Sequence, residues 1–355
     1  MDGIYISSSP HFSLSNTTQK IMLCVIISLL PECAAGIYFF GVKSLFLILS
    51  SVISCVFFEA VFQKLTGQKI IVSNLSAVVT GLLLALVCPP TLPLWTVIIG
   101  GAVAVIVAKG IFGGLGSNVF NPALTGRAFL VISFPSLMGA SWLLPNFTRG
   151  TDAVSSATFD GITSATILSK IKHGTFELTD GIFQKLFTGE RAGCIGETSV
   201  LLILVSLVFL LVLRIIDFRA PLAMCLSVFI LTFASSITGG MNFTAASQSA
   251  VVSLMTGGLL FGAVFMVTDY ATAPVTKAGR LLFGAGCGII TFLIRTFGGY
   301  PEGVMFSILI MNAVSPFLNN LTARKYGYGK KGSRRAPSPE EEKRFTSAVQ
   351  EKTED

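Results

Sequence analysis

Ten apolar runs, each near twenty residues, fill this chain and constrain its fold more than any other feature. They cover roughly 21–40, 44–62, 71–88, 91–108, 119–138, 198–216, 220–238, 250–268, 280–297 and 303–321. A membrane span needs about 20 apolar residues. In lipid, each backbone N–H and C=O must be satisfied within such a segment, which favours helices. Of the 355 residues, 52% are hydrophobic and 12% are charged, and the mean hydropathy is +0.77. Soluble domains carry about 25% charged residues. The expectation is an all-α polytopic membrane protein of about ten transmembrane helices. The first 19 residues are polar and lack the charged-then-apolar order of a cleavable signal peptide.

Basic residues set the expected orientation, because cytoplasmic loops are enriched in them. The second loop has Lys64 and Lys69, and the fourth has Lys109. The sixth has Arg214 and Arg219, and the eighth has Lys277 and Arg280. The tail adds Arg324, Lys325, Lys330, Lys331, Arg334 and Arg335. The odd short loops hold almost none, apart from Lys43 and Arg295. Five regions follow: a cytoplasmic amino-terminal segment 1–20, a first membrane half 21–138, an external loop 139–197, a second membrane half 198–322 and a polar cytoplasmic tail 323–355. The net charge of +7 belongs to these loops rather than to a nucleic-acid surface.

Short strings recur five spans apart. Thr80-Gly81-Leu82-Leu83-Leu84 matches Thr256-Gly257-Gly258-Leu259-Leu260, and Phe112-Gly113-Gly114 matches Phe297-Gly298-Gly299. An odd offset gives two five-span halves of opposite topology, and inverted repeats place sites at their interface. The seven cysteines are scattered with no Cys-x-x-Cys pair, and His11 and His173 stand alone, so no metal site is expected. No phosphate-binding or dinucleotide motif is present.

The external loop contains Asp160-Gly161-Ile162-Thr163-Ser164-Ala165-Thr166-Ile167-Leu168. Small residues leave the Thr166 hydroxyl uncrowded. Ile167, Leu168 and Ile171 recur at helical spacing, and Gly174 is a plausible stop. Thr166 would sit in a first helical turn, where free N–H groups and the helix dipole favour a phosphate. On spacing alone an ordinary cap, with Thr163 or Ser164 closing the helix start, is the better reading.

The same string resembles the flavin-attachment signature of two related families. These are the D subunits of Rnf ion-translocating electron-transport complexes and the B subunits of sodium-translocating NADH:quinone reductases. Ser117-Asn118-Val119-Phe120-Asn121-Pro122-Ala123 with Gly126-Arg127-Ala128-Phe129, Phe265-Met266-Val267-Thr268-Asp269 and Gly299-Tyr300-Pro301-Glu302-Gly303 are similar to three further stretches of these families. The resemblance runs from about residue 40 to 321. It implies FMN joined to Thr166 through a phosphodiester, with Asp160, Gly161, Ser164 and Ala165 framing the attachment. Thr158, in Ser155-Ser156-Ala157-Thr158, is a rival, but Phe159-Asp160-Gly161 after it departs from the signature. About 20 residues precede the first span and Tyr270 follows Asp269, both closer to the Rnf form.

The resemblance further implies a subunit that is inactive alone, in a bacterial inner membrane, with the loop outside. It implies an oxidoreductase complex that relays electrons between ferredoxin and NAD and moves Na⁺ or H⁺. The implied partners are membrane and peripheral subunits, including a second flavoprotein subunit and iron–sulfur subunits. The B-type relatives also bind riboflavin, which leaves open a second, non-covalent flavin. Arg127 is its candidate contact, since on the expected topology it lies towards the cytoplasm, away from Thr166; an interfacial cation anchoring the span is the better reading of it. The alternatives are a B-type quinone-reductase subunit and a channel or transporter without redox chemistry. Acids in or beside spans are Glu32, Glu59, Asp269 and Glu302. Each is costly in lipid, and Glu32, after Pro31, is the sharpest candidate for an ion path. Interfacial placement or a salt bridge is the better reading of Asp269 and Glu302.

Overall fold

The computed structural model describes residues 17–68, 70–139, 142–143, 145, 181–300 and 302–322. Among these residues the regular structure is entirely helical. Helix α1 (Thr18–Phe40) opens with Thr17, whose hydroxyl accepts from the Lys20 N–H. It ends at Gly41, whose φ of 83° suits glycine, and α2 (Val42–Leu65) follows at once. A 3₁₀ turn over Val72–Asn74 leads into α3 (Ser76–Leu86), which stops short of Pro89-Pro90. Helix α4 (Leu94–Ala102) widens into a π-type coil over Val103–Gly110. Helix α5 (Pro122–Ser133) starts with proline in its first turn and with the Asn121 side chain accepting from Leu124 N–H. A single helical stretch, α6 (Pro135–Gly139), follows.

After the undescribed part of the loop come α7 (Ile182–Thr188) and α8 (Val200–Val212). Then come α9 (Arg219–Thr238), α10 (Phe243–Met255) and α11 (Leu259–Phe261), the last running into a π-type coil over Gly262–Met266. Helices α12 (Lys277–Phe297) and α13 (Val304–Thr322) end the described chain.

Each of the ten expected spans contains helix, but not all at spanning length. Five described helices are long and apolar enough to cross a membrane: α1, α2, α9, α12 and α13. A sixth span results if α10 and 259–266, bent by 61° at Thr256–Gly258, count as one. The segments at 76–86, 94–110, 122–133 and 200–212 are shorter. Nine of the eleven α3 residues are buried, as are all residues of 262–266. Short and broken helices are tolerated at membrane depth where protein rather than lipid surrounds them.

The two halves repeat one packing pattern. In the first, α2 packs on α3 and α4, and the 94–110 helix packs on α5. In the second, α9 packs on α10 and α12, and α12 packs on α13. Close approach of α12 to α9 depends on Gly284 and Gly288. A Cβ at Gly284 would collide with the Ala220 backbone, and one at Gly288 would lie 2.6 Å from Met224 O. Small residues four apart are how membrane helices bring their backbones together.

The repeat is also inverted. Lys109, just before Phe112-Gly113-Gly114, shares a cavity with Asp269, beyond the carboxyl end of 259–266. Arg295, just before Phe297-Gly298-Gly299, donates to Thr256 O at the amino end of the same segment. Cations three and two residues before the recurring Phe-Gly-Gly thus stand at opposite ends of one helix.

Candidate functional site

Polar chemistry gathers at both ends of the paired half-helices. At one end, Lys109 Nζ lies 2.6 Å from Glu59 Oε1 and 2.6 Å from Ser76 Oγ. The amine therefore anchors the start of α3 to α2. Beside it a small cavity continues into a cleft of about 700 Å³. Asn118, Asp269, Tyr270, Asn312, Ser315 and Asn319 line the cleft. That volume lies within the range of small-molecule sites, roughly 300–1,000 Å³.

Asp269 is held by its own turn: its carboxylate accepts from Ala271 N–H and the Thr272 hydroxyl. Burial pushes its carboxyl above the usual range, against those hydrogen bonds. Among the described residues it has no ion-pair partner. Asn312 is 1% exposed, and both its amide atoms lack a partner. A buried amide without hydrogen bonds is costly, and this one lines the cleft. Asp217 lies at the same end, where Arg219 and Arg280 reach its Oδ2 at 2.7 Å and 3.0 Å. Burial pushes it up, but hydrogen bonds from the Arg219 side chain and N–H and from Arg280, with the Arg219 charge, hold it below the ordinary range.

The other end is built around Arg127. Its guanidinium donates to Glu302 Oε2 at 2.6 Å and stands 3.8 Å from Glu197 Oε1. Cys194 Sγ lies 3.5 Å away. A Cβ at Gly258 would collide with the Oε1 atoms of both Glu197 and Glu302, so the two carboxyls flank this glycine. Gly258 N–H donates to Glu302 Oε1 at 2.9 Å. Two more guanidiniums close the helix break. Arg295 donates to Ser253 O and Thr256 O, and Arg191 donates to Met255 O and Glu197 O. The last carbonyls of α10, orphaned by the break, are thus satisfied by cations at a negative helix end.

The carboxyls differ electrostatically. Burial pushes Glu197 up, and the neighbouring Glu302 carboxylate adds to this against Arg127 and Arg191. Glu302 is half-buried; desolvation pushes it up, but Arg127 and the Gly258 N–H outweigh that and hold it below its ordinary range. Burial, more than any neighbour, keeps the Cys194 thiol well above its usual value.

This geometry revises the sequence reading of Arg127. The side chain points to Cys194 and Glu197 at the end of the 139–197 stretch and to Glu302 just before α13, not to the Lys109 end. The expected salt bridge of Glu302 is present, whereas Asp269 has a turn of hydrogen bonds instead. Glu197, Arg191 and Cys194 escape the sequence reading, because they fall in the stretch expected to be an external loop. Residues 191–200 are in fact buried throughout. The signal lies in Arg191-Ala192-Gly193-Cys194-Ile195-Gly196-Glu197, a stretch of small residues with two charges immediately before an apolar run. Symmetry links the two ends: Arg127 lies 15 residues after Phe112, and Asn312 lies 15 after Phe297. Thr166, Thr158, Asp160, Gly161, Ser164 and Ala165 lie outside the described residues, as do His11 and His173. Among the described residues no group of three or more His, Cys, Asp or Glu side chains could hold a metal, and all seven cysteines are free thiols.

The sequence model of the NQR2, RnfD, RnfE family matches residues 5–327. The D subunit of a sodium-translocating ferredoxin:NAD(+) oxidoreductase complex from Acetobacterium woodii is 40% identical, over 92% of this chain and 96% of that protein. The D subunit of a proton-translocating ferredoxin:NAD(+) oxidoreductase complex from Clostridium ljungdahlii is 40% identical, over 89% and 94%. The D subunit of an ion-translocating oxidoreductase complex from Stutzerimonas stutzeri is 37% identical, over 90% and 95%. The chain belongs to the NQR2, RnfD, RnfE family.

Proposed function

We propose that this chain is the D-type membrane subunit of an ion-translocating ferredoxin:NAD(+) oxidoreductase complex, and that Thr166 carries FMN through a phosphodiester. The observation that carries the reading is the string Asp160–Leu168 in a chain of this family. Identity to D subunits over nine-tenths of the chain supports the subunit assignment. The flavin, when bound, supplies a centre that accepts electrons singly or in pairs. The protein's part is to tether and position it. Asp160, Gly161, Ser164 and Ala165 belong to the signature around the threonine. The buried stretch Arg191–Val200 and the Arg127 cluster anchor the far end of the loop.

A second, non-covalent flavin such as riboflavin fits the cleft at the Lys109 end better than it fits Arg127, whose guanidinium is already paired with Glu302. The cleft combines apolar walls (Ile21, Met22, Leu115) with Asn118, Asp269 and Asn312. An amide such as Asn312 offers both a donor and an acceptor, matching the alternating edge of a flavin pyrimidine ring. The Lys109, Arg219, Lys277 and Arg280 end would face the cytoplasm of a bacterial inner membrane, and the Arg127 end with the loop would face outward. Electron entry, the iron–sulfur chemistry and nucleotide binding fall to partner subunits, a second flavoprotein among them.

Thr166→Ala tests the tether. The variant should assemble with its partners yet show no flavin fluorescence in a denaturing gel, while Thr158→Ala keeps the fluorescent band. A fluorescent Thr166→Ala chain would remove Thr166 as the attachment residue.

A further inference from the structure

The first helices of the two halves, α1 and α8, pack against each other at the seam of the repeat. Three polar side chains are buried there: Ser28 and Glu32 on α1 and Ser206 on α8, exposed by 3%, 3% and 2%. Glu32 lies roughly 21 Å along α1 from Thr18, taking 1.5 Å per residue, which puts it well inside the span. Among the described residues no cation stands within ion-pair range of it.

The hydrogens at this seam can be counted. Ser206 Oγ lies 2.7 Å from the Ser28 carbonyl oxygen and 2.8 Å from Glu32 Oε1. A serine hydroxyl has one hydrogen to donate. A carbonyl oxygen can only accept, so the Ser206 hydrogen goes to Ser28 O. The contact between Ser206 Oγ and Glu32 Oε1 then needs its hydrogen from the carboxyl. Ser28 cannot supply one, because its hydroxyl donates to Val25 O at 2.7 Å. Glu32 Oε2 is buried and has no hydrogen-bond partner. An ionised carboxylate would leave that oxygen bare in a low-dielectric seam.

We propose that Glu32 is a proton-binding site inside the membrane, held as a neutral acid that donates to Ser206 Oγ while Ser206 donates to Ser28 O. Release of the proton leaves a carboxylate, and the Ser206 hydrogen swings from Ser28 O to Glu32 Oε1. Uptake reverses both moves. No electron transfer is involved, and the ligand is a proton. A metal cation needs several oxygen ligands at once. Here a single carboxyl, one hydroxyl and one already bonded carbonyl are on offer.

Other titratable groups on the packed elements do not reach the site. Helices α3 and α8 carry none. Helix α2 contributes Lys43, Cys55, Glu59 and Lys64, and Glu59 is engaged by Lys109. The turn 195–197 contributes Glu197, which faces Arg127. On α1 itself the neighbouring Cys33 thiol is buried. The neutral state of Glu32 stands whether or not Thr166 bears flavin. Only its use in ion movement rests on the functional reading above.

Infrared spectra of the intact complex in H₂O and D₂O test this directly. Wild type minus Glu32→Gln should contain a protonated-carboxyl carbonyl band that shifts on deuteration. A difference containing carboxylate stretches instead would overturn the proposal. Ser206→Ala provides a second reading should Glu32→Gln fail to assemble. Loss of the acceptor should move the Glu32 carbonyl band to the position of a carboxyl without a hydrogen bond, and an unmoved band would equally overturn it.

Discussion

Arg127 holds two carboxyls of different elements at one end of the molecule. It donates to Glu302 at 2.6 Å and is the cation nearest Glu197 Oε1, at 3.8 Å. Both carboxyls lie against Gly258, that of Glu197 buried and that of Glu302 half-buried. Breaking a buried ion pair by deleting one partner costs about 3–5 kcal/mol. Arg127→Met should fall at the low end, about 3 kcal/mol, because Arg191 and Arg295 still balance the charges of Glu197 and Glu302. Glu302→Gln keeps a hydrogen-bonding side chain, so it should cost about 1–2 kcal/mol. The double variant Arg127→Met/Glu302→Met leaves neither charge orphaned. Its loss should be smaller than the sum of the two single Met variants, with a coupling of about 2 kcal/mol, roughly thirtyfold in an equilibrium constant. The assay is the heating midpoint at which the detergent-purified complex stops eluting as a folded species, compared across wild type, the two single Met variants and the double. Strictly additive midpoint shifts would refute the pairing of Arg127 with Glu302 as the organising contact of this end.

Two further outcomes follow from the same geometry. Glu197 is raised above the ordinary carboxylate range, so the unfolded chain ionises first as pH rises. Its contribution to stability is present below that range and is lost as pH climbs towards neutrality. Glu302 is lowered, so its contribution is lost only as pH falls through its folded value. Glu197→Gln should therefore flatten the decline towards neutral pH in a midpoint-against-pH series and leave the acid side unchanged; a persisting decline would contradict the assignment. Gly284→Ala should destabilise by about 1–3 kcal/mol, because the new methyl meets the Ala220 backbone of α9 rather than a movable side chain. Gly299→Ala, with nothing within 4 Å of its added Cβ, should leave the midpoint where it is, and equal shifts for the two would discount the close helix contact.

The helical class and the repeat are legible in the sequence because hydropathy and the Phe-Gly-Gly and Thr-Gly strings are local signals. Span length is less legible. Residues 76–86 and 259–266 are as apolar as lipid-facing helices, yet protein surrounds them, and lipid and protein interiors select the same side chains. Arg127 is visible as an unusual cation, but its partners lie 70 and 175 residues away in sequence, at Glu197 and Glu302. No periodicity links such positions. Glu197 and Arg191 look like loop residues because their polarity matches the segment before them. Glu32 stands out as a carboxyl after a proline in an apolar run. Its Ser206 partner sits in the other half of the repeat, and only the packing of α1 on α8 brings the two together.

FMN on Thr166 would change the mass of a single peptide. The chain should be isolated with its partner subunits, digested, and the fragments from 139–197 sequenced by tandem mass spectrometry. The expected result is the mass of FMN less one water, localised to Thr166 and absent from Thr158. An unmodified peptide, or a modification on Thr158, would contradict it.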